Sequence, residues 1–328
     1  MQEELAHHVY KELAPHANTE KASLSDFGEE WSTRTDGGRT NIRCFGVYPG
    51  IVIKRNCIHV SALSIPREEN YSCLKMNFCL SGRCEVPIDG KHFVYLEPGR
   101  INFDLRQPEQ GCIFPGGFYE GLELVIDLPL LKENPPASLT EFGIDVPQEA
   151  QCLAAENGSH VFKADEPLKL ICSRIYTSLS DDSTRLTLQD CRFHAVSLLY
   201  HALHCSAGIA DRTHYVSARQ RRTAVCVHQY LMEHEDHPGS IHDLAQQFGV
   251  SATALENCFQ AVYGATIHVY LLNRRIDQAR SLLADTALPI SQIARMAGYS
   301  HPGKFAAAFR KNTGMTPLEY RRNHAGPV

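Results

Sequence analysis

The spacing of apolar residues divides the chain into a β-rich part and a helical part. From about residue 40 to 130, short apolar runs alternate with polar residues and are broken by turn signals such as Asp89-Gly90 and Pro98-Gly99. Alternation with turns spaced about eight to twelve residues apart predicts an antiparallel β-barrel or sandwich. Residues 1–35 lack this alternation, and we expect them to form a helical arm and a loop.

After residue 128 the pattern changes to helical spacing. Apolar residues recur at three- and four-residue steps, for example at Ile171, Ile175 and Leu179, as they do on the buried face of a helix. Residues 206–220 are small and polar, which predicts a linker. Further helices are predicted from Arg221 onward.

Two stretches of the last hundred residues share one design. In residues 289–322 a short helix is followed by Gly298 and by a second helix that carries Phe305 and Phe309. Residues 240–264 repeat this order, with matching positions at Leu244, Ala245, Gly249, Leu255 and Phe259. Glycine permits the left-handed backbone of a tight turn between helices. Each stretch therefore predicts a helix-turn-helix unit, which places one helix in a DNA major groove.

These residues resemble the AraC/XylS family of bacterial transcription regulators. The family motif is matched by Ile293-Ala294, Gly298-Tyr299, Phe305, Phe309-Arg310-Lys311, Gly314, Thr316-Pro317 and Tyr320-Arg321. A linker helix near 266–284 also fits. Outside this region, Leu80–Gly99 looks like the cupin-type effector domain of such regulators, and the helical segment is more loosely similar to the siderophore-responsive, PchR-like branch.

The resemblance implies an α+β protein with four parts. Residues 1–130 would hold the arm and a cupin-like, effector-binding β-barrel; 131–205, a helical dimerisation or packing segment; 206–220, the linker; and 221–328, a double helix-turn-helix domain. Such a protein would be a sequence-specific, ligand-responsive activator that reads two successive major grooves. Its partners would be double-stranded promoter DNA, RNA polymerase, a small-molecule effector and a second copy in a homodimer. No cofactor and no enzymatic activity are expected.

The resemblance also implies which residues face DNA. The base-reading positions are Ala252, Thr253, Glu256, Asn257, His301, Gly303, Lys304 and Ala307. The candidate phosphate anchors are Arg274, Arg275, Arg310, Lys311, Arg321 and Arg322. Asn257 and Ala307 stand where the family often has arginine, so we expect weak base readout and a larger part for phosphate contacts and DNA shape.

The effector and the alternative functions rest on fewer residues. An apolar barrel interior can hold one ligand, and the aromatic candidates for its lining, which would otherwise simply fill the barrel, are Phe78, Phe93, Tyr95, Phe103 and Tyr119. The alternative is a cupin-like metal-dependent enzyme, or a metal or redox sensor, with a DNA-binding appendage. A soft-metal site is suggested by His201, His204 and Cys205, and a redox site by Cys73, Cys79 or Cys84.

Charge and composition agree with this division of the chain. The net charge is −5, yet residues 216–328 carry 12 Lys and Arg against 8 Asp and Glu, a net +4. The basic excess therefore coincides with the predicted DNA-binding part. The 12 cysteines are scattered and form no CxxC pair, so no disulfide framework is expected. With no secretion signal and no long apolar run, we expect a cytoplasmic protein away from the membrane.

Overall fold

The computed structural model describes residues 19–35, 37–63, 72–89, 91–105, 111–155, 158–180, 186–205, 215–235 and 238–324. The predicted arm before residue 19 and most of the predicted linker, 206–214, lie outside these ranges. The chain forms two compact units, Met1–Arg221 and Arg222–Val328, and each is described by itself.

The first unit is built on an eight-stranded antiparallel sheet in the order β1-β2-β3-β4-β11-β6-β9-β12. Two small sheets accompany it, β10-β5 and β13-β8-β7. The strands are β1 Thr19–Ser25, β2 Gly28–Thr35, β3 Gly38–Tyr48, β4 Ile51–His59, β5 Ala62–Leu63, β6 Cys73–Gly82, β7 Cys84–Pro87, β8 His92–Leu96, β9 Arg100–Asp104, β10 Cys112–Ile113, β11 Tyr119–Asp127, β12 Ser159–Lys163 and β13 Val216–Ser217.

The antiparallel β-rich prediction is confirmed, but the closed, cupin-like barrel is not. Within the described ranges the large sheet is open, with β1 and β12 as its edge strands. The β7–β8 hairpin pairs with β13 instead of joining the large sheet. Closure depends on pairing between strands that are distant in sequence, and the alternation within each strand does not determine that pairing.

The helical arm and loop predicted for residues 1–35 need a correction in their second half. Residues 19–35 form the hairpin β1–β2, in which Lys21 pairs with Trp31. Nearly every residue of β1 is exposed. Because β1 is an edge strand that is largely exposed, its sequence does not alternate between apolar and polar residues and resembles that of a loop.

Among its described residues the first unit also has five helices that come after β11: α1 Leu128–Glu133, α2 Ala137–Glu141, α3 Val146–Ala155, α4 Glu166–Ser180 and α5 Leu188–Cys205, with β12 between α3 and α4. They share a core with one face of the sheet. Leu124 on β11 lies between Ile53 and Met76 on its neighbouring strands, and all three belong to the cluster that includes Leu168 and Leu199. Each such side chain contributes about 1.5–3 kcal/mol when fully buried.

The second unit is helical. Most of α6 (Ala218–Glu233) belongs to it, followed by α7 Ile241–Gln247, α8 Ala252–Tyr263, α9 Ile267–Asp285, α10 Ile290–Met296, α11 Pro302–Thr313 and α12 Pro317–His324. In the part of the chain that the structure describes, no helix is both long and apolar enough to span a membrane.

Candidate DNA-binding interface

The first helix-turn-helix unit, α7 and α8, is defined by hydrogen bonds at its ends. Ser240 caps α7, since its Oγ accepts from the backbone N of Asp243 at 3.2 Å and the carboxylate of Asp243 accepts in return. Gly249 then takes φ of +65°, and the N–H of Val250 donates to the carbonyl of Ala245 at 3.0 Å. This is the bond that closes a glycine-ended helix. Ser251 caps α8 in turn.

The second helix-turn-helix unit, α10 and α11, repeats the backbone conformation and the hydrogen bond of this turn. Gly298 has φ of +79°, and the N–H of Tyr299 donates to the carbonyl of Ala294 at 2.9 Å. Both second helices end at a left-handed glycine, Gly264 and Gly314. The repeat seen in the sequence is therefore a repeat of structure.

Each unit has its own small core, and α9 packs against both. Phe259 and Ile267 lie in one cluster, and Phe309 and Ile276 lie in the other. The eight positions predicted as core are all buried, namely Leu244, Ala245, Leu255, Phe259, Ile293, Ala294, Phe305 and Phe309. With 19 residues, α9 is about 28 Å long, which suits recognition helices spaced for grooves about 34 Å apart.

The structure divides the predicted base-reading residues into two groups. The exposed ones are Thr253, Asn257, His301, Gly303, Lys304 and Ala307. Ala252 is half-buried against the first core. Glu256 is also half-buried, and its Oε2 accepts from the backbone N of Ile267 at 3.2 Å. This carboxylate therefore caps the start of α9.

The predicted phosphate anchors also divide. Arg310, Lys311 and Arg322 are exposed, and no hydrogen bond of their side chains occurs among the described residues. Arg274 is paired with Glu235, and Arg321 donates to the carbonyl of Leu288 at 2.6 Å.

Arg275 is half-buried, and its guanidinium borders Gly298, where an added Cβ would lie 3.3 Å from Nη1. Of the six predicted anchors, Arg274 and Arg321 are thus hydrogen-bonded within the domain, and Arg275 is half-buried beside Gly298.

One exposed residue of α8 was missed by the sequence reasoning. Gln260 lies seven positions after Thr253 and three after Asn257, so all three fall on one face of the helix. The buried positions of α8, such as Phe259 and Val262, lie on the other side. Helical spacing alone would have found this residue.

The five aromatic candidates for the effector site lie in different surroundings. Phe78 and Phe103 face the helices in the large core, whereas Tyr119 belongs to a second cluster. Tyr95 donates to Glu85 at 2.8 Å, and Arg221 lies over the ring of Phe93. The structure therefore does not gather these five side chains into one lining, and their role in effector binding stays a prediction.

The face of the large sheet opposite the helices carries a row of polar side chains. Glu123 is the register partner of Lys54 on β4 and of Asn77 on β6, and Asn77 pairs with Asn102 on β9. Lys54 is only 3% exposed, and its Nζ lies 3.7 Å from Glu123 Oε2. Lys75 is buried beside this row. Burial of charged groups at the centre of a sheet is costly.

Four residues of the alternative functions, Cys79, Cys84, His201 and His204, have structural contacts, whereas the side chain of Cys205 lies outside the described part of the structure. Burial raises the pKa of the Cys79 thiol to about 12, and a hydrogen bond with Cys112 leads the causes that raise the pKa of Cys84. Redox-active thiols instead have lowered pKa values. His201 and His204 each place Nδ1 within hydrogen-bonding distance of a carbonyl one turn earlier.

Comparison with known proteins identifies the second unit. Residues 244–323 match the family model described as a helix-turn-helix domain. The probable transcriptional regulator LumQ of Photobacterium leiognathi is 30% identical over 102 residues, which cover 31% of this chain and 41% of that protein. The xylose operon regulatory protein of Escherichia coli K12 is 34% identical over 92 residues, 28% of this chain and 24% of that protein.

The chain is also similar to one solved structure, the C-terminal domain of the response regulator AraT from Geobacillus stearothermophilus. The alignment covers 34% of this chain and 92% of the AraT domain, with 28% identity and a TM-score of 0.31. The chain spans less than half the length of the two curated relatives. The family model runs from within α7 to within α12, across the two helix-turn-helix units described above. Residues 244–323 therefore form an AraC-type helix-turn-helix domain.

Proposed function

We propose that this protein is a transcription regulator that binds double-stranded DNA through α8 and α11. The observation that carries the proposal is the repeated turn: two exposed second helices, each fixed by the same glycine geometry, are packed on one connecting helix. A rigid connector sets the distance between the two helices, so both can enter successive major grooves on one side of the duplex. The helix-turn-helix family model over residues 244–323 and the similarity of part of the chain to transcriptional regulators support it.

The test is a binding titration of the full chain with the DNA upstream of its own gene, at two salt concentrations and with excess unrelated DNA. Specific binding that survives the competitor supports the proposal. Binding should weaken steeply with salt, because phosphate contacts release counterions. Failure to bind any duplex at low salt would refute it.

We propose further that the first unit binds a small polar effector on the sheet face opposite the helices, with Lys54, Glu123, Asn77 and Asn102 as its central row. Apolar side chains of similar volume would stabilise this position at least as well as an ion pair. The polar row is therefore better explained by recognition of a hydrophilic ligand than by stability. Tyr119, one of the predicted residues, has its hydroxyl close to the backbone of Gly121 beside this row.

The effector proposal is tested by thermal-shift screening of small charged and polyhydroxylated metabolites. Compounds that raise the melting temperature of the full chain should no longer do so in a Glu123→Gln variant. Glu149→Gln, an exposed carboxylate on α3, is the matched control. Compounds that stabilise wild type and Glu123→Gln equally would place the effector elsewhere.

The proposal also includes the oligomeric state, a homodimer, and the direction of regulation, which is activation. The helical segment has exposed apolar side chains, including Leu170 on α4 and Phe193 on α5, which is 71% exposed. We assign the interface of a homodimer to these helices. Activation through RNA polymerase follows from the family resemblance. Sedimentation of the full chain and of Phe193→Glu tests the dimer.

A further inference from the structure

The two recognition helices present different chemistry at equivalent positions. On α8 the exposed face offers three hydrogen-bonding side chains, Thr253, Asn257 and Gln260. The equivalent positions on α11 are Gly303 and Ala307, which have no polar side-chain atom, and Arg310, which is an exposed cation. All three positions on α8 can therefore form a side-chain hydrogen bond with a base, whereas two of the three on α11 cannot.

The amide pair on α8 is free to meet base edges. Asn257 and Gln260 are both exposed, and neither side-chain amide has a hydrogen-bond partner among the residues that the structure describes. Residues three apart on a helix have Cβ atoms about 5–6 Å apart, so the two amides are close enough to contact neighbouring base pairs. Asn and Gln can each bond an adenine bidentately in the major groove.

Glu256 is removed from this set by its own hydrogen bond. Its Oε2 accepts from the N–H of Ile267, and turning it toward a cytosine would leave the start of α9 without that acceptor. Readout on α8 therefore falls to Asn257 and Gln260, with Thr253 one turn earlier.

The surface of α11 is suited to phosphates. A Cβ added at Gly303 would meet nothing within 4 Å, so the protein's own packing does not require glycine there. Because Gly303 has no side chain, the DNA backbone can approach this part of the helix closely. No side chain caps the first turn of α11, and such a helix start favours an anion. The exposed cations Lys304, Arg310 and Lys311 lie on the same helix.

We propose that sequence readout is concentrated in α8, through Asn257 and Gln260 on A·T base pairs, and that α11 is a phosphate-binding helix with little direct base readout. This inference rests on the proposed function, since it assigns different tasks to the two DNA-contacting helices. Gln260 becomes a specificity-determining residue.

The experiment is a selection of duplexes from a library of about 24 random base pairs, enough for two half-sites one helical turn apart, with the full-length chain. The wild type should select one constrained stretch with A·T pairs and, about ten base pairs away, a weakly constrained one. Replacing a selected A·T pair by G·C should weaken wild-type binding roughly 5- to 150-fold.

Variants then assign the readout to residues. Gln260→Ala should lose the preference at one selected base pair and Asn257→Ala at another, while both keep wild-type affinity for unrelated DNA. Gln247→Ala, an exposed glutamine on α7, is the matched control and should select the wild-type sequence. Unchanged affinity for unrelated DNA also shows that each variant is folded.

Several results would overturn the inference. Equal constraint of the two stretches would assign base readout to α11 as well. Selection of the wild-type sequence by both Gln260→Ala and Asn257→Ala, or binding of DNA with no selected sequence, would remove readout from α8. The absence of all DNA binding at low salt would instead refute the proposed function itself.

Discussion

Replacing Arg310 by alanine separates the cations that would contact DNA from those that hold the DNA-binding unit together. Arg310 is exposed and has no side-chain hydrogen bond within the described residues, so its loss should leave the fold intact. One phosphate contact contributes about −0.9 to the slope of log affinity against log salt. Between about 50 and 200 mM salt, a fourfold change, one contact therefore accounts for about a 3.5-fold change in affinity.

Arg274→Ala is the control, because Arg274 is engaged by Glu235. The side chains of this pair are 41% and 34% exposed, so solvent screens the interaction and its loss should destabilise the protein by only about 1 kcal/mol or less. The salt slope should stay at the wild-type value in this variant. The two arginines thus predict opposite results: a changed slope for Arg310→Ala and a changed stability for Arg274→Ala.

The assay is fluorescence anisotropy of a labelled duplex over a series of salt concentrations, with urea unfolding of each variant measured alongside. Arg310→Ala should weaken binding to all sequences alike and make the slope shallower by about 0.9. A wild-type slope for Arg310→Ala, or an equal drop in slope for Arg274→Ala, would show that burial and pairing do not identify the phosphate anchors.

Three further predictions concern stability. Gly249→Ala should lower the free energy of unfolding by about 1–2 kcal/mol, because alanine is strained in the left-handed backbone at this position. Gly298→Ala should lower it further, since its Cβ would lie 3.3 Å from the Arg275 guanidinium. Equal losses of the two variants in urea unfolding would contradict this. Glu85→Gln should lower the free energy of unfolding by roughly 1–3 kcal/mol, because buried Glu85 accepts hydrogen bonds from Tyr95 at 2.8 Å and from Arg221 at 2.6 Å. Glu97→Gln is the control, since Glu97 is more exposed and also has two arginine partners. This variant should lose less stability in the same assay. Burial, followed by the charge of Arg274, lowers the pKa of His228 from 6.5 to about 4. As the pH falls, the unfolded chain therefore protonates this imidazole before the folded chain does. The melting temperature should fall between pH 6.5 and pH 4, and it should fall more in the wild type than in His228→Gln.

The helix-turn-helix units could be predicted because their signals are local. Gly249 and Gly298 lie where the backbone turns left-handed, and the apolar residues around them repeat at helical spacing. Both features are set within about 25 residues of sequence, so the prediction needed no knowledge of distant contacts. The engagement of Glu256 by Ile267 was not foreseen, because it depends on how the next helix packs.

The first unit was predicted less completely because its signals are not local. Phe78 and Phe103 suit an aromatic pocket by residue type, but a shift of one position along a strand turns a side chain to the opposite face. The register places both toward the helices. The same alternation leaves Lys54 and Asn77 on the other face, where sequence reasoning expected apolar lining. Open or closed sheet topology likewise depends on pairing across more than a hundred residues.

The ends of the two recognition helices support the unequal tasks proposed for them. Ser251 caps α8 with a side-chain hydrogen bond, and such a cap is worth about 1 kcal/mol, so the start of the helix that carries Asn257 and Gln260 is stabilised locally. No side-chain hydrogen bond caps α11, which begins instead with Pro302. Bidentate contacts with bases demand accurate placement, whereas exposed lysine and arginine side chains reach phosphates from many positions. The helix with the firmer start is therefore the one that carries the amides.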